Sequence, residues 1–168
     1  AQNTAANVVS GGGVGDQPGT TVRGFNSVEG SDFDDVLSAP GIVVDGQGAD
    51  DVTLTESNAS SRTGVLYLSA DGTQEASLQA NGGGALNLIA ATGGVTVDLS
   101  AQGSDATVIS GGGLGDQSGT NMSGFTNVEG SGGADTLIGD DGANELDGIF
   151  GDDVLDGGAG DDELDGDD

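Results

Sequence analysis

Apolar residues in this chain alternate with polar ones over short runs, and no stretch sustains the three-to-four spacing of a helix. The runs are Val52 to Thr55, Val65 to Leu68, Ala76 to Gln79, Ala85 to Ile89, Val95 to Leu99 and Thr107 to Ser110. Each is bounded by Gly, Asn, Asp or Ser, the residues that turn a chain, so each is expected to be a strand. From Leu66 onward the strand centres recur about every ten or eleven residues. Glycine at this frequency penalises a helix heavily. Regular short strands with tight turns fit a sandwich or a solenoid, and the C-terminal segment separates the two.

From Gly130 the chain falls into consecutive nine-residue units: GSGGADTLI, GDDGANELD, GIFGDDVLD and GGAGDDELD, with a further unit opening at Gly166. Positions one and four are Gly, position six is Asp or Asn, and position eight is Leu. The unit at Gly157 satisfies the whole pattern G-G-x-G-x-D-x-U-x, with U a large apolar residue. Glycines permit a tight turn with positive φ, and the rest of the unit is a minimal strand with the position-eight side chain inside. Nine residues make a turn and a strand, so two units close one coil with two sheets. Leu137 then stacks on Leu155 in one sheet and Leu146 on Leu164 in the other. Asp135 falls beside Asp153 on one edge, and Asn144 beside Asp162 on the other. The expected architecture is all-β, a parallel β-roll or β-solenoid.

A duplication at an offset of 100 residues relates the first part of the chain to the last. The segment from Ala5 matches that from Asp105, pairing Gly11 to Gly13 with Gly111 to Gly113, Gly24-Phe25 with Gly124-Phe125, and Asp35 with Asp135. Further on, VDGQGADDV from Val44 resembles LDGIFGDDV from Leu146, now at an offset of 102. The expected organisation is a first solenoid unit over 1–51 with degenerate turns and intervening solenoid strands over 52–104. A second lead-in over 105–129 and the regular roll over 130–168 complete it. Phe25 and Phe125 read as core plugs.

Charge then changes the picture. Asp and Glu number 29 against two basic residues, Arg23 and Arg62, for a net charge of −27. Nucleic acid and anionic membranes need clustered Lys or Arg and are excluded as partners. No apolar run approaches the length of a membrane span. No basic-then-apolar leader stands at Ala1, so the sequence reads as mature, excised from a longer protein or exported by another signal. Two cations cannot neutralise the acids by ion pairing. Stacked carboxylates about 4–5 Å apart repel by several kcal/mol at an effective dielectric near 20. A divalent ion between them reverses the sign. Calcium suits carboxylates and turn carbonyls, accepting about six to eight oxygens in flexible geometry. Zinc is disfavoured because the chain has no Cys and no His.

These units strongly resemble the RTX, or haemolysin-type, calcium-binding repeat, and the preceding GFTNVEGSGGADTL is similar to its lead-in. The resemblance implies that turn carbonyls and the position-six side chains of two stacked loops hold each calcium. Carried over, one site would use Gly130, Gly132, Gly133 and Asp135 with Gly148, Phe150, Gly151 and Asp153. Another would use Gly139, Asp141, Gly142 and Asn144 with Gly157, Ala159, Gly160 and Asp162. A third would begin with Asp153 and the loop at Gly166. Asn144 stands where Asp is the rule, which removes one charge; Ile149 and Phe150 replace Gly and a small residue. In the first copy, Asp35 and Asp50 are candidate ligands of degenerate turns, although the residue eighteen beyond Asp35 is Thr53. The position-nine acids Asp147, Asp156 and Asp165 read as a solvated face.

No His, Cys or Lys exists to act as nucleophile or base, and the acids follow a repeat rule, so the expectation is not an enzyme. Three functions fit. The first is a calcium-dependent structural module of a secreted bacterial RTX-type protein, folding outside the cell. The second is an S-layer, adhesin or filament subunit that forms a homo-oligomer through solenoid ends. The third is an accessory module of a secreted enzyme.

Overall fold

The computed structural model describes residues 21–22, 27–30, 34, 36–44, 49–55, 64–70, 72, 74–75, 77–104 and 108–167. Asp35 and Phe25, like the first twenty residues of the first copy, lie outside the described residues. Among the described residues the structure is strand and turn, with a single 3-10 turn at Leu99–Ala101 capped by Asp98.

The first six strands are short: β1 (Thr21–Val22), β2 (Ser27–Glu29), β3 (Val36–Ala39), β4 (Ile42–Val44), β5 (Asp51–Leu54) and β6 (Val65–Tyr67). They stack in two parallel columns, β1 to β3 to β5 and β2 to β4 to β6. A long strand, β7 (Ser77–Asn87), closes both columns, because its first part pairs with β5 and its last part with β6. The alternation around residues 76–79 and 85–89 therefore belongs to one strand, not two. Next come β8 (Val95–Asp98), β9 (Ile109–Gly111) and a second long strand, β10 (Asn121–Glu129), which runs parallel to β7 through two register shifts.

The C-terminal part is the regular stack expected from the nine-residue units. Its strands are β11 (Thr136–Ile138), β12 (Glu145–Asp147), β13 (Val154–Asp156) and β14 (Glu163–Asp165). One sheet runs β10, β12, β14 and the other β8, β11, β13, all parallel. The pairs Leu137 with Leu155 and Leu146 with Leu164 stand in register, as the eighteen-residue coil requires.

The core is the line of inward positions through this stack. Val52, Leu66, Leu78, Leu86, Val97, Leu137 and Leu146 are fully buried, and so is Phe125. Fully burying a leucine contributes about 1.5–3 kcal/mol, so a column of such residues is the main driving force for stacking. Burial fades at the C-terminal end of the described stack: Leu155 is half-buried and Leu164 is 46% exposed.

Two features depart from the uniform roll. β9 runs antiparallel to β8, pairing Val97 with Ile109 and Val95 with Gly111. The chain reverses between the two strands, through the 3-10 turn at Leu99–Ala101 and Gly103 at φ 71°; the run Gly111, Gly112 and Gly113, at φ 89°, 59° and 80°, ends β9. Gly112 bonds back to the loop before β8 through Thr92 N at 2.7 Å and Gly94 O at 3.0 Å. The second departure is coil length. In the first copy Val36 faces Asp51 and Glu29 faces Val44, fifteen residues on, whereas Glu129 faces Asp147, eighteen on. The local step is the same in both places: Gly30 N bonds to Val44 O at 3.0 Å and Gly130 N to Asp147 O at 2.8 Å. The following coil is three residues shorter, and Thr53 pairs with Ser38.

Candidate metal centre

The position-six side chains sit where each turn runs into its strand, stacked one coil above the next. Asp135 N donates to Asp153 Oδ1 at 2.7 Å, and Asn144 N donates to Asp162 Oδ1 at 3.0 Å. The two edges of the roll therefore carry the pairs expected from the eighteen-residue spacing. The backbone ladder fixes this register. Gly130, Gly139 and Gly148 each donate to the position-nine carbonyl of the adjacent strand, Asp147, Asp156 and Asp165, at 2.8, 2.7 and 2.8 Å. Val154 N and Glu163 N bond to Asp135 O and Asn144 O, both at 2.9 Å, so those two carbonyls belong to the sheets.

The position-one glycines bring backbone and carboxylate together. Gly130, Gly139, Gly148 and Gly157 are all buried. A β-carbon on Gly148 or Gly157 would overlap the Oδ2 atom of Asp153 or Asp162. One on Gly139 would overlap Gly157 O and Asn144 Oδ1. The position-four glycines lie on the turn surface: Gly142, Gly151 and Gly160 are exposed and Gly133 is half-buried. Gly132, Asp141 and Ala159 are exposed too, and Phe150 projects into solvent at 64% exposure.

Burial divides the four position-six residues. Asp135 and Asn144 are 1% and 3% exposed, while Asp153 and Asp162 are half-buried. Asp135 accepts from Ser131 N at 2.6 Å, Ser131 Oγ at 2.8 Å and Val95 N at 2.7 Å. Asn144 Oδ1 accepts from Asp140 N at 2.9 Å, and its amide nitrogen donates to Thr126 O at 3.0 Å. Asp153 Oδ2 differs, being buried without a hydrogen-bond partner. A buried carboxylate oxygen without a donor is costly unless a cation or water completes it.

The residues present fit calcium. Available donors are carboxylate oxygens and turn carbonyls, a hard, all-oxygen set. Among the described residues no three carboxylates gather at one point, so any such ion would take a large share of its ligands from backbone carbonyls. Asp153 Oδ2 is the atom that most needs a partner.

Ser131 was not among the residues singled out from the sequence; its only signal was a hydroxyl at position two, where glycine completes the pattern. The position-nine acids are not merely a solvated face. Asp147, Asp156 and Asp165 each accept the N–H two residues on, from Ile149, Gly158 and Asp167 at 3.1, 3.1 and 3.2 Å.

In the first part of the molecule Asp50 is fully buried, and its N–H donates to Glu75 Oε2 at 2.8 Å. Glu75 N in turn donates to Gln117 Oε1 at 3.0 Å, and Thr120 Oγ1 to Glu75 O at 2.9 Å. This network ties the start of β5 to the loop before β10. Nearby, the Ser118 hydroxyl and N–H hold the exposed Asp116 carboxyl below its ordinary range. No described helix is long and apolar enough to cross a membrane, which says nothing of a β-barrel.

Comparison with protein families gives a match that falls on this stack. The family model for the RTX calcium-binding nonapeptide repeat, in four copies, matches residues 122–148, 129–164 and 150–168. No curated protein matches the chain. Its start at residue 122 takes in nearly all of β10, the strand on which β12 is laid. Residues 122–168 match the RTX calcium-binding nonapeptide repeat in several copies.

Proposed function

We propose that this chain is the calcium-binding structural module of a secreted bacterial RTX-type protein, and that calcium completes its folding outside the cell. The observation that carries this reading is Asp153 Oδ2, a carboxylate oxygen buried without a protein donor inside an all-oxygen turn. The ion supplies positive charge at the position-six carboxylates. The chain's own residues do the rest. Position-one glycines leave space for the carboxylate, position-six Asp residues present it, and position-eight leucines hold the coils at stacking distance.

The folding linkage follows from mass action. An ion that binds only the stacked state stabilises it by about 2.7 kcal/mol per site at a hundred times its Kd. Without the ion, the acidic coils repel one another with few cations in the chain to offset them. A calcium-poor interior would then keep the C-terminal acids extended and exportable, and a calcium-rich exterior would close the roll. We read the module as structural rather than catalytic, since its acids serve the repeat.

Far-ultraviolet circular dichroism with chelator, then with calcium, tests the reading. The β signal should grow with calcium and not with magnesium, which demands a rigid octahedron and releases water reluctantly. A spectrum indifferent to chelator and calcium would defeat calcium-completed folding.

A further inference from the structure

The four turns of the array are of two kinds. In the first coil, residues 130–147, the position-two N–H points inward to the position-six side chain, from Ser131 to Asp135 and from Asp140 to Asn144. In the second coil the position-two residue is left-handed, Ile149 at φ 73° and Gly158 at φ 81°. Its N–H then turns away to the position-nine carboxylate, Asp147 or Asp156. That rotation deprives Asp153 Oδ2 of a donor.

We propose that the first coil is a metal-independent adapter, locked by Ser131 and Asn144, and that cation binding begins at turns 148–153 and 157–162. This inference rests on the calcium reading above and says which turns carry it.

Two observations support it independently. Asp135 is 1% exposed and already receives three donors from Ser131 and Val95. A cation at its carboxylate would have to displace N–H groups that then lack a partner. On the other edge, the strand above presents an acceptor, Thr126 O, rather than an N–H. A carboxylate at position 144 would face that carbonyl with no proton between them. The Asn144 amide supplies the proton and keeps its oxygen for Asp140 N. Ser131 and Asn144 look like lapses from the repeat. They are the residues that let the coil fold onto β8 and β10 before any ion arrives.

Hydrogen exchange on the whole chain, in chelator and in calcium, tests this without a variant. In chelator, the amides of Ser131 and Asp140, whose acceptors lie within the first coil, should already be protected. Those of Val154 and Glu163, the ladder donors of the second coil, should gain protection only with calcium, by roughly a hundredfold at a hundred times the Kd. If both coils gain protection together, the adapter is refuted while the calcium reading stands. If neither coil responds and calorimetry shows no calcium binding, the calcium reading fails and the adapter with it. Ser131→Ala gives a second readout by native mass spectrometry. It should lower protection of the first coil in chelator and leave the number of bound calcium ions unchanged; loss of an ion would overturn the proposal.

Discussion

Two glycine-to-alanine changes inside one motif isolate what position one does. Gly148 and Gly132 both have φ values outside the left-handed region, so alanine suits either backbone. A β-carbon at Gly132 would meet nothing within 4 Å. At Gly148 it would overlap Asp153 Oδ2 and lie 2.8 Å from Asp153 Cγ and 3.0 Å from Asp153 Cβ. Carbon atoms prefer a separation of about 3.5–4.0 Å. Rotating the carboxylate clears Oδ2 and Cγ but not Cβ, which is fixed to the backbone, so the turn itself must shift. Overpacking of this kind costs about 1–3 kcal/mol. Gly132→Ala should instead gain about 0.4–1 kcal/mol by restricting the unfolded chain. Urea unfolding in chelator and in calcium measures both changes. Calorimetry should also show Gly148→Ala weakening calcium binding by about tenfold for each 1.4 kcal/mol that the shifted carboxylate loses. Equal stability effects at the two glycines, or unchanged calcium affinity in Gly148→Ala, would refute the idea that position one is a cradle for the position-six carboxylate.

Other expectations follow from burial and backbone geometry. Leu137→Ala removes a fully buried side chain and should cost about 2–5 kcal/mol, while Leu164→Ala, at 46% exposure, should cost under about 1 kcal/mol; urea midpoints compare them. Ile149→Gly relieves a β-branched residue at φ 73° and should raise the thermal midpoint, since left-handed backbone costs such a residue about 1–2 kcal/mol and glycine's extra unfolded-state freedom returns only part of it. Asp153→Ala should weaken calcium binding more than Asp147→Ala, because the Asp147 carboxylate is occupied with Ile149 N; equal losses by calorimetry would contradict the register. Acid should act in the direction of chelator, since a protonated carboxylate cannot ligate, and calcium titrations at falling pH would show affinity falling with it.

The regular part of the molecule was legible because one residue type serves one position in every unit. Leucine at every ninth residue fixed which strands share a sheet, and the observed pairs Leu137 with Leu155 and Leu146 with Leu164 follow from that spacing alone. The position-six pairs were legible for the same reason. The first copy was less so. It keeps Gly30 and Asp35 but has Asp32 and Phe33 where Gly132 and Gly133 stand, and it closes its coil in fifteen residues, which the sequence shows only as the shift of the duplication's offset from 100 to 102. The reversal at β9 is made in the connection after β8, where the 3-10 turn at Leu99–Ala101 is followed by Gly103, but glycine permits left-handed φ without demanding it, so the direction of the chain was open. The two kinds of turn were hidden for another reason. Whether a position-two N–H faces position six or position nine is settled by φ at that residue. Ile149, the residue least suited to left-handed backbone, adopts it all the same.

The central claim is that oxygen atoms of the second-coil turns, Asp153 Oδ2 among them, hold divalent ions. Anomalous difference density from a crystal grown in calcium tests it most directly. A peak about 2.3–2.6 Å from Asp153 Oδ2, with turn carbonyls around it, is the expected result. A well-ordered Asp153 carboxylate with water or nothing beside it, in the same calcium buffer, would contradict the account.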